Sequence, residues 1–209
     1  MIYNISMIQY KISPALQKNY KSRQFYLVFQ EALKILNWKN NDIRCTINVR
    51  LDFGLPSGGG RVIHRHGKHM ILLHPSRHKP FPWNTVRHES LHSVLKSKIR
   101  CRLNKYAIPL PIPKSYQSQT FRENLEEYCV RALQILFLQQ KNGVQWGQKQ
   151  VAHEIWQGFA MMPIFVKFFR QWRKTNKPFS RKTFTDLIFL FLTNDLKNIS
   201  KYYFPQSQK

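Results

Sequence analysis

Ile43-Arg44-Cys45-Thr46-Ile47-Asn48-Val49-Arg50-Leu51-Asp52 alternates apolar and polar residues along its whole length. Successive side chains of an extended chain point to opposite faces, so this stretch predicts a strand with one buried face. Working outward towards the N-terminus, Phe25, Val28, Phe29, Ala32, Leu33 and Leu36 recur at the spacing of one helical face, which predicts an amphipathic helix over 20–37. On the other side, 55–60 contains Pro56 and three consecutive glycines, the composition of a loop. Val62 to His66 and His69 to His74 flank a Gly67-Lys68 turn and predict a hairpin. A small, mostly antiparallel sheet with a backing helix is expected.

Beyond residue 80 the pattern turns helical. Asn84, just past Pro82, is a candidate N-cap for a helix running to about Lys98. Ala107 to Pro113 carries three prolines, each lacking a donor and disfavouring helix before it, and is a connector. Leu125, Cys129, Ala132 and Leu136, widened by Tyr128 and Leu133, mark a second helix from about Gln119 to Gln140, ended by Gly143. Trp146 to Lys174 predicts one helix, or two broken near Pro163, and Ser180 is placed to cap a last helix over 181–194. Strands early and helices late indicate an α+β fold. The expected organisation is one domain over 1–209, with a helix-plus-sheet part at 1–84 and a helical part at 85–209.

Composition narrows the class. The 209 residues include 34 Lys plus Arg against 10 Asp plus Glu, a formal net charge of +24, yet 43% are hydrophobic. That much apolar surface excludes a wholly disordered chain. The three cysteines, Cys45, Cys101 and Cys129, are widely spaced, so neither a disulfide framework nor a cysteine zinc site is indicated. The longest apolar run, Leu187 to Leu192, is too short to span a bilayer, and no basic segment leads into an apolar one at the N-terminus. A cytoplasmic protein without a membrane span is the expectation. The charge favours polyanions, and 167–182 mixes Lys167, Arg170, Arg173, Lys174, Lys177, Arg181 and Lys182 with Phe168, Phe169 and Trp172.

The chemistry concentrates at Arg87-His88-Glu89-Ser90-Leu91-His92, which contains HExxH. On a helix, positions i and i+4 differ by roughly 40° in azimuth and one turn in height, so two imidazoles can converge on one metal ion. Glu89, about 100° around, is placed to act on water held by that ion. With eight His and six Glu in the chain, chance supplies this pattern in about one such sequence per hundred. A plain basic surface helix with incidental histidines is the competing reading.

A catalytic zinc takes three protein ligands and keeps one position open. The residues after His92, Ser93-Val94-Leu95-Lys96-Ser97-Lys98, provide no third histidine. Three of the six glutamates lie together at Glu123, Glu126 and Glu127 on the next strong helix, a concentration that calls for a cationic partner. Relative to Leu125, Glu126 falls at the edge of the buried stripe and Glu127 in line with Glu123, Arg131 and Gln134; periodicity does not choose between them. Charge complementing a helix N-terminus explains the three equally well.

His88 to His92 together with Glu127-Tyr128-Cys129-Val130-Arg131-Ala132 resembles the gluzincin branch of the HExxH metallopeptidases, in which a glutamate on a second helix completes the site. The resemblance covers roughly residues 60–140. It implies a zincin-like fold and a Zn2+ cofactor held by His88, His92 and Glu127. It further implies that Glu89 is the base for hydrolysis of a peptide or protein substrate. It also implies that Lys68 to His74 is an edge strand lining the cleft, open to an extended peptide. His153, Tyr128 and Arg131 are candidates to stabilise an oxyanion. The alternatives are a basic nucleic-acid-binding module and a zincin-like interaction protein without turnover. Of the histidines at 64, 66, 69, 74 and 78, none has a nearby carboxylate in sequence, and they read as a polar wall or exposed edge.

Overall fold

A computed structural model of the chain describes residues 8–12, 14, 22–35, 45–55, 59–65, 68–74, 81–99, 110–113 and 120–175. The fold is α+β, and the chain divides into two compact units, 1–97 and 98–209. The HExxH helix therefore belongs with the sheet up to Ser97. The expected helix over 181–194, the apolar run at 187–192, Cys101 and the Gly67 turn lie outside the described residues.

The first unit contains β1 (Ile8–Ile12), α1 (Ser22–Ile35), β2 (Cys45–Leu51), β3 (Gly60–Arg65), β4 (Lys68–Leu73) and α2 (Trp83–Ile99). The four strands form one sheet in the order β1-β2-β4-β3. The expectation of a mostly antiparallel sheet is corrected: β1 with β2 and β2 with β4 are parallel, and β3 with β4 alone is antiparallel. The cause is strand order. The chain after β2 passes to the far edge, lays down β3 there, and returns through the hairpin so that β4 fills the gap beside β2. A second correction follows. β4 is an interior strand bonded on both sides, so it is not an edge open to an extended peptide; the edges are β1 and β3.

Register explains the alternation in β2. Val49 pairs with Ile71 and Leu51 with Leu73, and partners in a ladder share a face. Ile47, Val49, Ile71 and Leu73 are fully buried, each worth about 1.5–3 kcal/mol of apolar transfer. Helix α1 contributes Phe25, Val28 and Phe29 to the core, and Phe25 meets Phe81 and Trp83 with ring centroids 5.7 and 5.1 Å apart. Asn84 lies inside α2 rather than at its cap, and its Oδ1 accepts from Arg87 at 2.7 Å.

The second unit contains α3 (Phe121–Asn142), α4 (Val144–Trp156) and α5 (Met162–Lys174). Thr120 caps α3: its hydroxyl accepts from the Glu123 N–H at 3.3 Å, and the Glu123 carboxylate accepts from the Thr120 N–H at 2.8 Å. Gly143, at φ 90°, separates α3 from α4 in a conformation that other residues rarely adopt. The stretch 146–174 is two helices, as the second of the two expectations has it: the break falls at 157–161 and Pro163 lies in the first turn of α5. Leu125, Tyr128, Cys129, Ala132, Leu133 and Leu136 of α3 are buried with Phe165, Phe168, Phe169 and Trp172 of α5. Burial, and secondarily the Glu126 carboxylate, pushes the Cys129 thiol up, as expected of a structural cysteine. Among the described residues, no helix is long and apolar enough to cross a membrane.

Candidate metal centre

In the first unit, α2 is buried far more than a surface helix. Between Val86 and Ser93 every residue is buried except His88 and His92, which are partly exposed. The incidental surface-helix reading does not fit that distribution. Small residues permit the burial: Ser90 Oγ donates to Val86 O at 2.7 Å and Ser93 Oγ to Glu89 O at 3.1 Å, so neither hydroxyl is stranded. Arg87 donates to Glu31 of α1 at 3.1 Å, which pins the helix one residue before the motif.

The two imidazoles turn towards each other, Nε2 to Nε2 at 3.2 Å, with ring planes 69° apart. Zinc–imidazole bonds of about 2.0–2.1 Å in a tetrahedral arrangement separate two such nitrogens by about 3.3 Å. The donor pair therefore fits a tetrahedral cation. One turn of helix brings the rings together because side chains at i and i+4 lie one above the other.

Glu89 is 7% exposed and lies against the start of β3. A Cβ built on Gly60 would stand 2.4 Å from Thr85 Cγ2 and 3.1 Å from both Cγ and Oε1 of Glu89. The absent side chain at Gly60 is what lets α2 approach the strand and keeps the Glu89 carboxylate beside its backbone. The role of Gly60 was not legible from sequence, where it is the last of three loop glycines; only the approach of Thr85 distinguishes it.

In the second unit, residues 124–130 of α3 are buried without a break. Between Asn124 and Phe137 the partly exposed positions are Arg131 and Gln134, the line on which Glu127 also falls. Glu127 is 6% exposed and its Oε1 accepts from Arg131 Nε at 2.6 Å. Arg131 Nη1 donates to Glu154 of α4 at 2.8 Å, and the guanidinium sits 4.3 Å over the Phe159 ring. Glu123 is the capping carboxylate and exposed, which removes it from contention as a ligand; Glu126 is buried near Cys129. Four of the six glutamates, at 89, 126, 127 and 154, are thus buried in a chain of net charge +24. Groups so scarce and so costly to desolvate are not serving solubility.

The three candidates for oxyanion stabilisation have separate fates. Tyr128 is fully buried; its hydroxyl donates to Pro111 O and accepts from the Met161 N–H at 3.3 Å, and its ring stacks on Phe165. Burial pushes that phenol well above its ordinary range. It is a core pillar. His153 is exposed on α4, its ring against Trp156 at 5.9 Å. Arg131 is engaged by two carboxylates. On α5, Phe168, Phe169 and Trp172 are buried while Lys167, Arg170 and Lys174 are exposed, so the aromatics of that stretch are core and not a base-stacking platform. No protein-family model, curated protein or solved structure matches the chain.

Proposed function

We propose that the protein is a zinc-dependent hydrolase of the zincin-like, gluzincin type, acting on peptide bonds, with His88, His92 and Glu127 as ligands and Glu89 as base. The observation that carries the reading is the approach of donors. Nε2 of His88 and Nε2 of His92 stand 3.2 Å apart across one turn of α2, as two ligands of one cation would. Two neutral imidazoles and one carboxylate are the donor set of many catalytic zinc sites, and leave a position for water. Zinc bound there supplies Lewis acidity towards water and a substrate carbonyl.

The remaining chemistry is the chain's own. His88 and His92 orient through α2, whose other neighbouring side chains are buried. Glu89 accepts a proton at its carboxylate as water attacks, and returns it to the departing amine. The absence of a side chain at Gly60 leaves room for the Glu89 carboxylate beside the β3 backbone.

The test is metal analysis and peptide hydrolysis on protein purified without added metal. The unaltered protein is expected to carry about one zinc per chain and His92→Ala none. Glu89→Gln is expected to retain the zinc and lose hydrolysis by about 100-fold or more. Zinc retained with hydrolysis unchanged would show that Glu89 is not the base; zinc bound with no hydrolysis in the unaltered protein would identify a metal-holding protein without turnover.

The exposed Lys167, Arg170 and Lys174 along α5 favour a second reading, electrostatic contact with a polyanion. Such binding weakens steeply with salt and survives chelation and His88→Ala.

A further inference from the structure

The chain Glu127–Arg131–Glu154 asks for a reason. Arginine beside a metal-ligating carboxylate is electrostatically unfavourable for a cation, since its charge competes for the same oxygen atoms. A second carboxylate changes the balance. Glu154 reaches Arg131 Nη1 at 2.8 Å while Glu127 holds Nε at 2.6 Å, so the three groups together carry one net negative charge. They are also secluded: Glu127 and Glu154 side chains are 8% and 12% exposed, Arg131 21%, with Phe159 under the guanidinium. The fork of Arg131 is rigid and planar, so fixing it at one end by Glu154 fixes the direction from which Glu127 Oε1 is held.

We infer that Arg131 is a positioning residue that orients Glu127 for the metal, and that Glu154 enables it by cancelling its charge, so that a residue on α4 sets the metal affinity of the site. This rests on the reading of Glu127 as a ligand. Outer partners of ligating groups commonly change metal affinity by about 10–100-fold.

The arrangement makes a signed prediction. Glu154→Gln takes the trio from one net negative charge to none and leaves the Arg131 charge drawing on Glu127, so Zn2+ affinity falls by about 10-fold or more. Replacing both groups, as Arg131→Gln with Glu154→Gln, removes the charge conflict together with the clamp, and affinity recovers part of the loss seen in Glu154→Gln alone. Zn2+ affinity is measured by competition with a chromogenic chelator on the full chain, alongside thermal unfolding of the metal-free protein. Reduced affinity in Glu154→Gln, with partial recovery in the double variant, supports the inference. A lower unfolding temperature with unchanged Zn2+ affinity overturns it and makes the trio a stabilising ion network only. If Arg131→Gln alone does not fold, Glu154→Gln still decides the matter. Failure of the ligand reading looks different: Glu127→Gln then leaves Zn2+ affinity unchanged while His88→Ala abolishes it, or the unaltered protein binds no Zn2+.

Discussion

Over residues 86–93 of α2 and 124–137 of α3 most positions are buried, and each stretch keeps one narrow line partly open. On α2 that line is His88 and His92, which present their nitrogens directly. On α3 it is Arg131 and Gln134, with Glu127 buried beneath Arg131 and bonded to it. The difference is one of charge. The imidazole pair is placed by helical spacing, since side chains at i and i+4 lie one above the other. A buried carboxylate needs compensating partners; Glu127 has Arg131, and Glu154 restores the negative charge that the guanidinium cancels.

The comparison can be broken most forcefully on α2. His92→Ala removes half of the imidazole pair and is expected to lower Zn2+ affinity more than about 100-fold, read by chelator competition. A loss no greater than that of Glu154→Gln would mean the two helices contribute through the same indirect route. Next in size is the contact of α2 with the sheet. Gly60→Ala places a methyl against Thr85 and Glu89 and is expected to cost about 1–3 kcal/mol in urea unfolding. Thr85→Ser removes the nearest atom and should restore part of that loss, a coupling a double-mutant cycle measures. Additive losses would show that Gly60 matters for its backbone instead.

On α3, Tyr128→Phe deletes a hydroxyl that serves both Pro111 O and the Met161 N–H, at about 1–2 kcal/mol, while the stack on Phe165 persists. Peptide turnover per bound zinc should be unchanged; a large fall would return Tyr128 to the reacting centre. The smallest effect is expected at Thr120→Ala, about 1 kcal/mol for the lost cap, with Zn2+ affinity within about twofold of the unaltered protein because residues 124–130 stay buried.

What could be read from sequence follows the same division. The HExxH spacing was legible because a helix alone brings i and i+4 together. The choice between Glu126 and Glu127 was not, because seven consecutive buried residues at 124–130 erase the periodicity that separates inside from outside. Strand β2 announced itself by alternation, but its neighbours did not: pairing with β4 over the intervening β3 is a long-range choice that no local pattern encodes. Strand β1 was missed, a five-residue stretch whose partner lies beyond α1. Glu154 was passed over because its significance lies in Arg131, 23 positions earlier.

Strand order also has a kinetic consequence. The β3–β4 hairpin closes locally, on the microsecond scale of such turns. Both parallel ladders demand closure of longer loops before any contact repays the lost freedom. The hairpin is therefore the natural nucleus, β2 docks on its β4 side next, and β1 joins last. A β3–β4 hairpin without β2 exposes one ladder side of β4, and a net charge of +24 opposes the pairing of two such edges.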